Sequence, residues 1–464
     1  MKLRNIWNEL NTSLWFRPAL WVLVLAVLAF GLMLADRRGG ETWQPLAGSS
    51  LAWFFVSGAD GARAMLSAVA TAVLTVTTLA YSIMMVAVVQ TANSYSPRLL
   101  RQYLSDKANQ HVLGILIGTF IYSLLVLRAI HSTDTLDSLE GAFVPALATN
   151  GGLLLALLST GAFIYFINHA AHSISVGNII LLIMQRTENL IESERLFPKQ
   201  VGAPAHGEPG RAPEQPGAPL RAKEGGYVQY FDTELLMRRA TAHDLIIRHE
   251  RTVGDYVLPG MQLVTVWPAE ALDDDTLQQD LASAVPLSKE RSLVQDVLYG
   301  VSQLSDVAVR ALSPGINDPS TAIQCIDALS LLAGKFLARL PISPYRYDDE
   351  GQLRLIAPGP AIDAFLDTAF TQIRRYGGGD LKITLRLLEV YQHLGRMNLD
   401  ADERRILWKH AARLMATAAQ HLDVASDRLA VNQAFRDTAG ILQQDPERYL
   451  LPVDVAPAEA PQEA

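Results

Sequence analysis

The chain has 464 residues, half of them hydrophobic, and a formal net charge of −8. An acidic balance excludes a general nucleic-acid binder, which needs a basic face to neutralise phosphates, so no nucleic-acid partner is expected. The single cysteine, Cys325, leaves no intrachain disulfide and no Cys-based metal site, which is compatible with a reducing compartment.

The N-terminus carries Lys2 and Arg4 and then polar and aromatic residues, without a short apolar core ending in small residues. No cleavable signal peptide is predicted. Residues 19–35 are uncharged between Arg17-Pro18 and Asp36-Arg37-Arg38, with Trp15, Phe16 and Trp21 where an interfacial aromatic belt would lie. This is the first predicted membrane span. The second covers residues 64–92, where nothing is ionised and Thr71, Thr75, Thr78 and Ser82 recur at helical spacing along one face. Gln90, Thr91 and Asn93 continue that polar face. Small hydroxylated residues let helices approach and hydrogen-bond, and they can equally line a water-filled path in an oligomer. Both uses remain open at the level of sequence.

The third span is predicted over residues 111–130, with Arg128 close enough to its end to snorkel. A fourth begins near residue 142 and covers 142–168, but the uncharged stretch runs on to Gln185. At about 1.5 Å per residue so long a helix would be about twice the hydrocarbon thickness. It must therefore break, leave the membrane or lie along its surface, and Ser173, Ser175, Gly177 and Asn178 mark the change. His169 and His172 lie three residues apart near the end of this span, on one helical face. Two imidazoles can relay protons or ligate a metal, but a transition-metal site normally takes three or four ligands, so hydrogen bonding is the simpler use and no metal is expected.

The loop between spans two and three carries Arg98, Arg101 and Lys107, whereas the loop between three and four carries Asp134, Asp137 and Glu140 with no Lys or Arg. The basic loop belongs inside, which places both termini of a multi-pass inner (plasma) membrane protein in the cytoplasm.

Residues 1–195 are thus expected to form the membrane domain, followed by a Pro, Gly and Ala-rich flexible linker over 196–226. A small α/β domain is expected over 227–287: a strand over 225–231, a short helix over 232–242 capped by Asp232, and a strand over 244–249. Two apolar runs around Gly254 and Gly260 look like half of a lipoyl-type barrel-sandwich hybrid, although no lysine sits at the hairpin tip to carry a cofactor. From residue 288 to 447 the pattern is helical, with helices expected over 288–312, from Pro319, and over 361–376, 380–395 and 402–424. The Pro, Ala and Glu-rich tail over 448–464 is expected to be disordered.

Within the helical region, residues 310–322 form the most distinctive string. Gly315 allows a turn after one helix, Asp318 can cap the next, and Pro319 suits its first position. Asp306 and Arg310, four residues apart, can pair on one face. One reading is a helix-turn-helix corner. The other is a polar pocket of Asp296, Asp306, Arg310, Asn317 and Asp318 that binds an ion or small ligand.

The run Tyr95-Ser96-Pro97-Arg98-Leu99-Leu100, with Asn109-Gln110 and Gly114 after it, and the corner Leu312-Ser313-Pro314-Gly315-Ile316-Asn317-Asp318-Pro319 resemble the bacterial membrane-protein family known as domain of unknown function 2254. The resemblance covers most of the chain and implies four N-terminal spans with a cytoplasmic domain. It transfers no activity and no functional residue.

No P-loop, H-E-x-x-H, G-x-S-x-G or paired C-x-x-C occurs, and Gly377-Gly378-Gly379-Asp380 reads more simply as a loop than as a phosphate cradle. Neither an enzyme nor a cofactor is expected. The expected fold class is an α-helical integral membrane protein, with four transmembrane helices followed by a mixed α/β unit and a mainly helical cytoplasmic domain. Its expected partners are the lipid bilayer, further copies in a homo-oligomer, and an ion or small ligand. The leading functional expectation is a channel-like or transport-related oligomer with a cytoplasmic regulatory domain; the alternative is a non-conducting scaffold or sensor that binds a ligand or partner through that domain.

Overall fold

The computed structural model describes residues 15–39, 58–94, 106–130, 144–173, 175–193, 211–340 and 343–453. Outside them lie the string 95–100, the acidic loop over 131–143, the first part of the linker and the tail from residue 454, as do the side chains of Thr91, Asn93 and His172. The chain divides into two units, residues 1–178 and 179–464.

Among the described residues the first unit holds four long helices, α1 (Phe16–Gly39), α2 (Ala59–Ser94), α3 (Lys107–Ala129) and α4 (Ala146–Ser173). All four are long and apolar enough to cross a membrane. Half of the apolar window of α3 is buried, against 17–28% in the other three, and α3 packs against each of them. Glycine explains the close approach: a methyl group at Gly114 or Gly118 would overlap Trp21 and Leu25 of α1. Two polar side chains, Asp36 and Tyr122, are satisfied across the bundle. Asp36, the charged flank of the first span, is buried and accepts from the Leu147 and Ala148 amides at 3.0 Å each, capping α4. The Tyr122 hydroxyl donates to the Ala148 carbonyl at 2.7 Å.

After Ser173 the helix breaks, and α5 (Val176–Glu192) begins where the small polar residues predicted a change. From Ile179 onward it belongs to the second unit and buries Ile179, Ile180, Ile183, Thr187, Leu190 and Ile191.

The second unit contains a five-stranded sheet in the order β1-β5-β3-β8-β7 and a three-stranded sheet in the order β4-β2-β6. Its strands are β1 (Ala218–Arg221), β2 (Gly226–Val228), β3 (Ile246–His249), β4 (Tyr256–Val257), β5 (Gln262–Trp267), β6 (Leu287–Ser288), β7 (Tyr345–Tyr347) and β8 (Leu353–Ile356). Helices α6 (Thr233–Ala242) and α7 (Asp275–Ser283) complete the α/β part, with Asp232 capping α6 as expected. The core here is Leu220, Phe231, Leu236, Ile247, Val264, Val266, Leu277 and Leu355. The remaining helices are α8 (Val297–Ala311), α9 (Pro319–Leu337), α10 (Ile362–Gly377), α11 (Leu381–Gly395), α12 (Ala401–His421) and α13 (Ala425–Leu442). Phe336 stacks on Phe365, and Trp408 on Phe435, to seal them.

Three expectations need correction. The lipoyl-like pair does not form, because β4 pairs with β2 in one sheet while β5 pairs with β1 and β3 in the other. The linker is not free up to residue 226: its residues 218–221 form β1 at a sheet edge, where Pro219 is tolerated because no second neighbour requires its missing N–H. The region from 288 is not helical throughout. It gives β6, an irregular stretch to Asp296, and then the β7–β8 hairpin, whose β8 runs parallel to β3 and ties the helical part into the sheet.

Candidate functional site

The predicted hydroxyl stripe lies on α2, exposed, opposite the face formed by Val69, Val73, Ala80 and Met84 that packs in the bundle. Each hydroxyl donates to the carbonyl four residues earlier: Thr71 to Ser67, Thr75 to Thr71, Thr78 to Leu74 and Ser82 to Thr78, at 2.8–3.0 Å. Such back-bonding leaves no unmet donor, so the stripe needs no water. His169 of α4 meets Asp106, its Nε2 2.7 Å from the carboxylate, and its ring stacks on Tyr165. The other carboxylate oxygen of Asp106 caps α3 at the Ala108 amide.

The five residues of the predicted polar pocket are not brought together. Asp296 caps the start of α8 and is buried, accepting from the Tyr299 amide at 2.9 Å and from Arg291 through two bonds of 2.8 and 3.0 Å. Asp318 caps α9 at the far side of α8, about 20 Å along a helix of that length. It accepts from the Thr321 hydroxyl and amide, which hold its carboxyl below the usual carboxylate range. Asn317 takes the left-handed turn conformation between them, with φ of 46°. Asp306 is exposed and Arg310 half-buried on α8. The corner therefore has the geometry of a capped helix-turn-helix.

A cleft of about 330 Å³ sits at the other end of α8, in the second unit. Its walls come from four places: Phe231 and His249 of the sheet side, Val297 and Leu298 in the first turn of α8, Arg346 of β7, and residues 357–361 leading into α10. Local sequence explains the last wall. Pro358 and Pro360 keep the strap out of helical conformation until Ala361, which opens α10 with no side chain to cap its first amides.

Two buried side chains in the lining of this cleft carry polar atoms without partners. His249 is 8% exposed and stacks on Phe231, ring centroids 3.8 Å apart. Neither of its ring nitrogens has a hydrogen bond among the described residues, and Nε2 is fully buried. Burial, aided by the Arg346 guanidinium, pushes its pKa down to about 3, so the imidazole is neutral at physiological pH. Arg346 is 6% exposed. Its Nη1 donates to the Ser343 and Tyr345 carbonyls, while its buried Nε has no acceptor. Among the described residues no carboxylate lies within ion-pairing distance of Arg346, and burial lowers its pKa with no charged neighbour opposing the shift.

The same hairpin holds a second buried arginine for comparison. Arg354 is 7% exposed, yet it meets Asp348 at 2.7 Å and Asp244 at 2.6 Å. A buried cation is ordinarily paired, as Arg354 is; Arg346 is not. Chemically, the cleft offers an apolar chamber with one uncompensated positive charge and a neutral imidazole that can donate or accept.

None of the predicted site residues except Asp296 lines this cleft, because the hairpin that carries Arg346 falls in a region expected to be helical. A signal was present: Tyr345-Arg346-Tyr347 and Leu353-Arg354-Leu355 alternate on either side of Asp348-Asp349-Glu350-Gly351, the pattern of a strand, a turn and a strand.

The family model for a predicted membrane protein, domain of unknown function 2254, matches residues 11–393. Uncharacterized proteins of Mycobacterium tuberculosis and Mycobacterium bovis are each 30% identical over 424 residues, which is 90% of this chain and 79% of the relative. No solved structure matches the chain. The two strings at 95–100 and 312–319 thus pointed to the right relatives, and the chain belongs to the predicted membrane-protein family of domain of unknown function 2254.

Proposed function

We propose that this protein is a ligand sensor of the bacterial inner membrane, in which the second unit is cytoplasmic and binds a small molecule in the cleft. The basic loop with Arg98, Arg101 and Lys107 and the acidic loop with Asp134, Asp137 and Glu140 support that orientation, with both termini inside.

The observation that carries the reading is the position of α5. It follows α4 within three residues in the chain, and it is built into the unit that holds the cleft. Thr187 of α5 packs directly on Gly300 of α8, where a methyl group would overlap its hydroxyl. One turn earlier on α8, Val297 and Leu298 line the cleft. Lys335 of α9 holds the end of α5 through Glu188 and Glu192. A ligand that shifts the first turn of α8 therefore acts on α5, and α5 pulls on the chain of α4.

A stand-in for the ligand tests this. Thr252 is exposed at the cleft, and a Thr252→Cys thiol there can be labelled selectively, because Cys325 is buried and its thiol is pushed up to about 12. Modification with N-phenylmaleimide should change hydrogen exchange of the α5 amides in the full chain. Unchanged exchange in α5 with the cleft filled would sink the coupling.

The second reading is a conducting homo-oligomer, with α2 lining a path. It is favoured by the outward face of the Thr71, Thr75, Thr78 and Ser82 stripe, which is exposed among the described residues and which a neighbouring copy can cover.

A further inference from the structure

We propose that the ligand of this cleft is a small organic carboxylate with an apolar body, and that Arg346 is its counter-ion. The inference rests on the reading of the cleft as a ligand site and names what that site selects.

Four features converge. First, the charge on Arg346 lacks a partner: its Nε has no acceptor, its Nη2 makes no hydrogen bond, and no carboxylate pairs with it among the described residues. Arginine stays protonated in proteins, so burial leaves a cation that an incoming anion would compensate. Second, the one carboxylate in the lining, Asp296, is taken by the two bonds from Arg291 and by the Tyr299 amide, and it does not serve Arg346. The other guanidinium in the lining, Arg251, is only half-buried and donates to the Gln262 carbonyl at 3.1 Å, which leaves Arg346 as the buried guanidinium without a carboxylate. Third, Ala361 and Ala364 place the uncapped start of α10 in the same wall, so free amides add to the positive potential. Fourth, the rest of the lining is largely apolar, including Phe231, Val253, Val297, Leu298 and Pro358.

The size and the charge set the class. A chamber of about 330 Å³ is at the small end for ligand sites, so it suits a metabolite-sized molecule. One uncompensated guanidinium matches one carboxylate, which would meet it at Nη2, left without an acceptor by the protein. A phosphate dianion would call for a second buried cation, and the other guanidinium of the lining, Arg251, is only half-buried. The neutral His249 imidazole can supply a further hydrogen bond to the carboxylate, and its stack with Phe231 forms a flat wall for the body.

The test uses phenyl compounds that differ in their polar group, on the full chain in nanodiscs: 3-phenylpropionate, 3-phenylpropionamide, 3-phenylpropylamine and phenyl phosphate, followed by ligand-observed NMR. The carboxylate should bind at least about tenfold more tightly than the amide, the amine should not bind, and phenyl phosphate should be weaker than the carboxylate. Arg346→Met should lose the preference for the carboxylate, while Arg346→Lys should retain part of it. Arg346→Met should melt no lower than the parent, because it removes an unpaired buried charge; that melt separates lost binding from lost folding. If the Met variant unfolds, Arg346→Lys decides the matter: equal binding of carboxylate and amide to it overturns the proposal. Tighter binding of phenyl phosphate moves the class to phosphate esters. Equal binding of amide and carboxylate, blocked by the maleimide at Thr252→Cys, overturns the class while the cleft remains a ligand site. No binding of any probe at about 10 mM, with α5 exchange also indifferent to the filled cleft, removes both readings.

Discussion

Among single residues, His249 makes the most specific demand on its surroundings. It ends β3, 8% exposed, with its ring on Phe231 and no hydrogen bond to either nitrogen. Burial and the Arg346 charge hold its folded pKa at about 3, below the ordinary 6.5 that the unfolded chain would show. Between those values the unfolded state takes a proton that the folded state refuses. Stability is therefore complete above about pH 6.5 and falls as the pH drops through that window. At about 1.4 kcal/mol per pH unit, the loss is on the order of 2 kcal/mol by pH 5. A His249→Gln variant lacks this linkage. Its melting temperature should fall less than that of the parent between about pH 7.5 and 5, and parallel decline of the two would show that His249 is reached by water. Arg346 and His249 illustrate why the site was hard to see in the sequence. A strand arginine between two tyrosines looks like a residue on a solvated face, and only the fold shows that its face is covered. Asp232 and Asp318, by contrast, were legible, because a helix cap is a local arrangement of one side chain with amides three residues on.

Elements follow the same division between local and distant causes. Five helices of the second unit, α6, α8, α9, α11 and α12, start where Asp232, Asp296, Asp318, Asp380 and Asp400 cap them. The four apolar helices begin and end within a few residues of the expected spans. The β7–β8 hairpin left only a short alternating pattern and the edge strand β1 less, because short strands draw their stability from partners far along the chain: β8 from β3, and β1 from β5. The junction of α5 and α8 belongs to this second kind. Nothing in the sequence around Gly300 says that Thr187 needs the space of its side chain. A Gly300→Ala variant should destabilise the second unit by about 1–3 kcal/mol, through overpacking, and raise hydrogen exchange across α5. The control is Gly440→Ala in α13, where a methyl group meets nothing within 4 Å. There the substitution should be neutral, or stabilise by about 0.5–1 kcal/mol. Equal effects of the two variants would show that helix propensity governs both sites and that the α5 contact is loose.

At the scale of the whole molecule, the open question is what covers the outer face of α2. Its apolar residues Leu74, Leu79, Val86 and Val89 are exposed beside the hydroxyl stripe, as expected of a helix with a lipid-facing side. The Thr and Ser hydroxyls already bond to their own helix, so their burial in lipid or against another copy costs little. The stripe points away from α3 and α4, and a water-filled path along it would need several copies arranged around an axis. The sensor reading expects the stripe to pack copies together without conducting. Thr75→Leu with Thr78→Leu should then reduce the mass of the purified assembly, measured by light scattering, and the parent in liposomes should carry no K+, Na+, Cl− or H+ flux. Flux in the parent that the double variant loses while keeping its assembly would instead establish the conducting reading. In that case the cleft and α5 become its control element, because the route from α8 through Gly300 and Thr187 to the chain of α4 is the same in both.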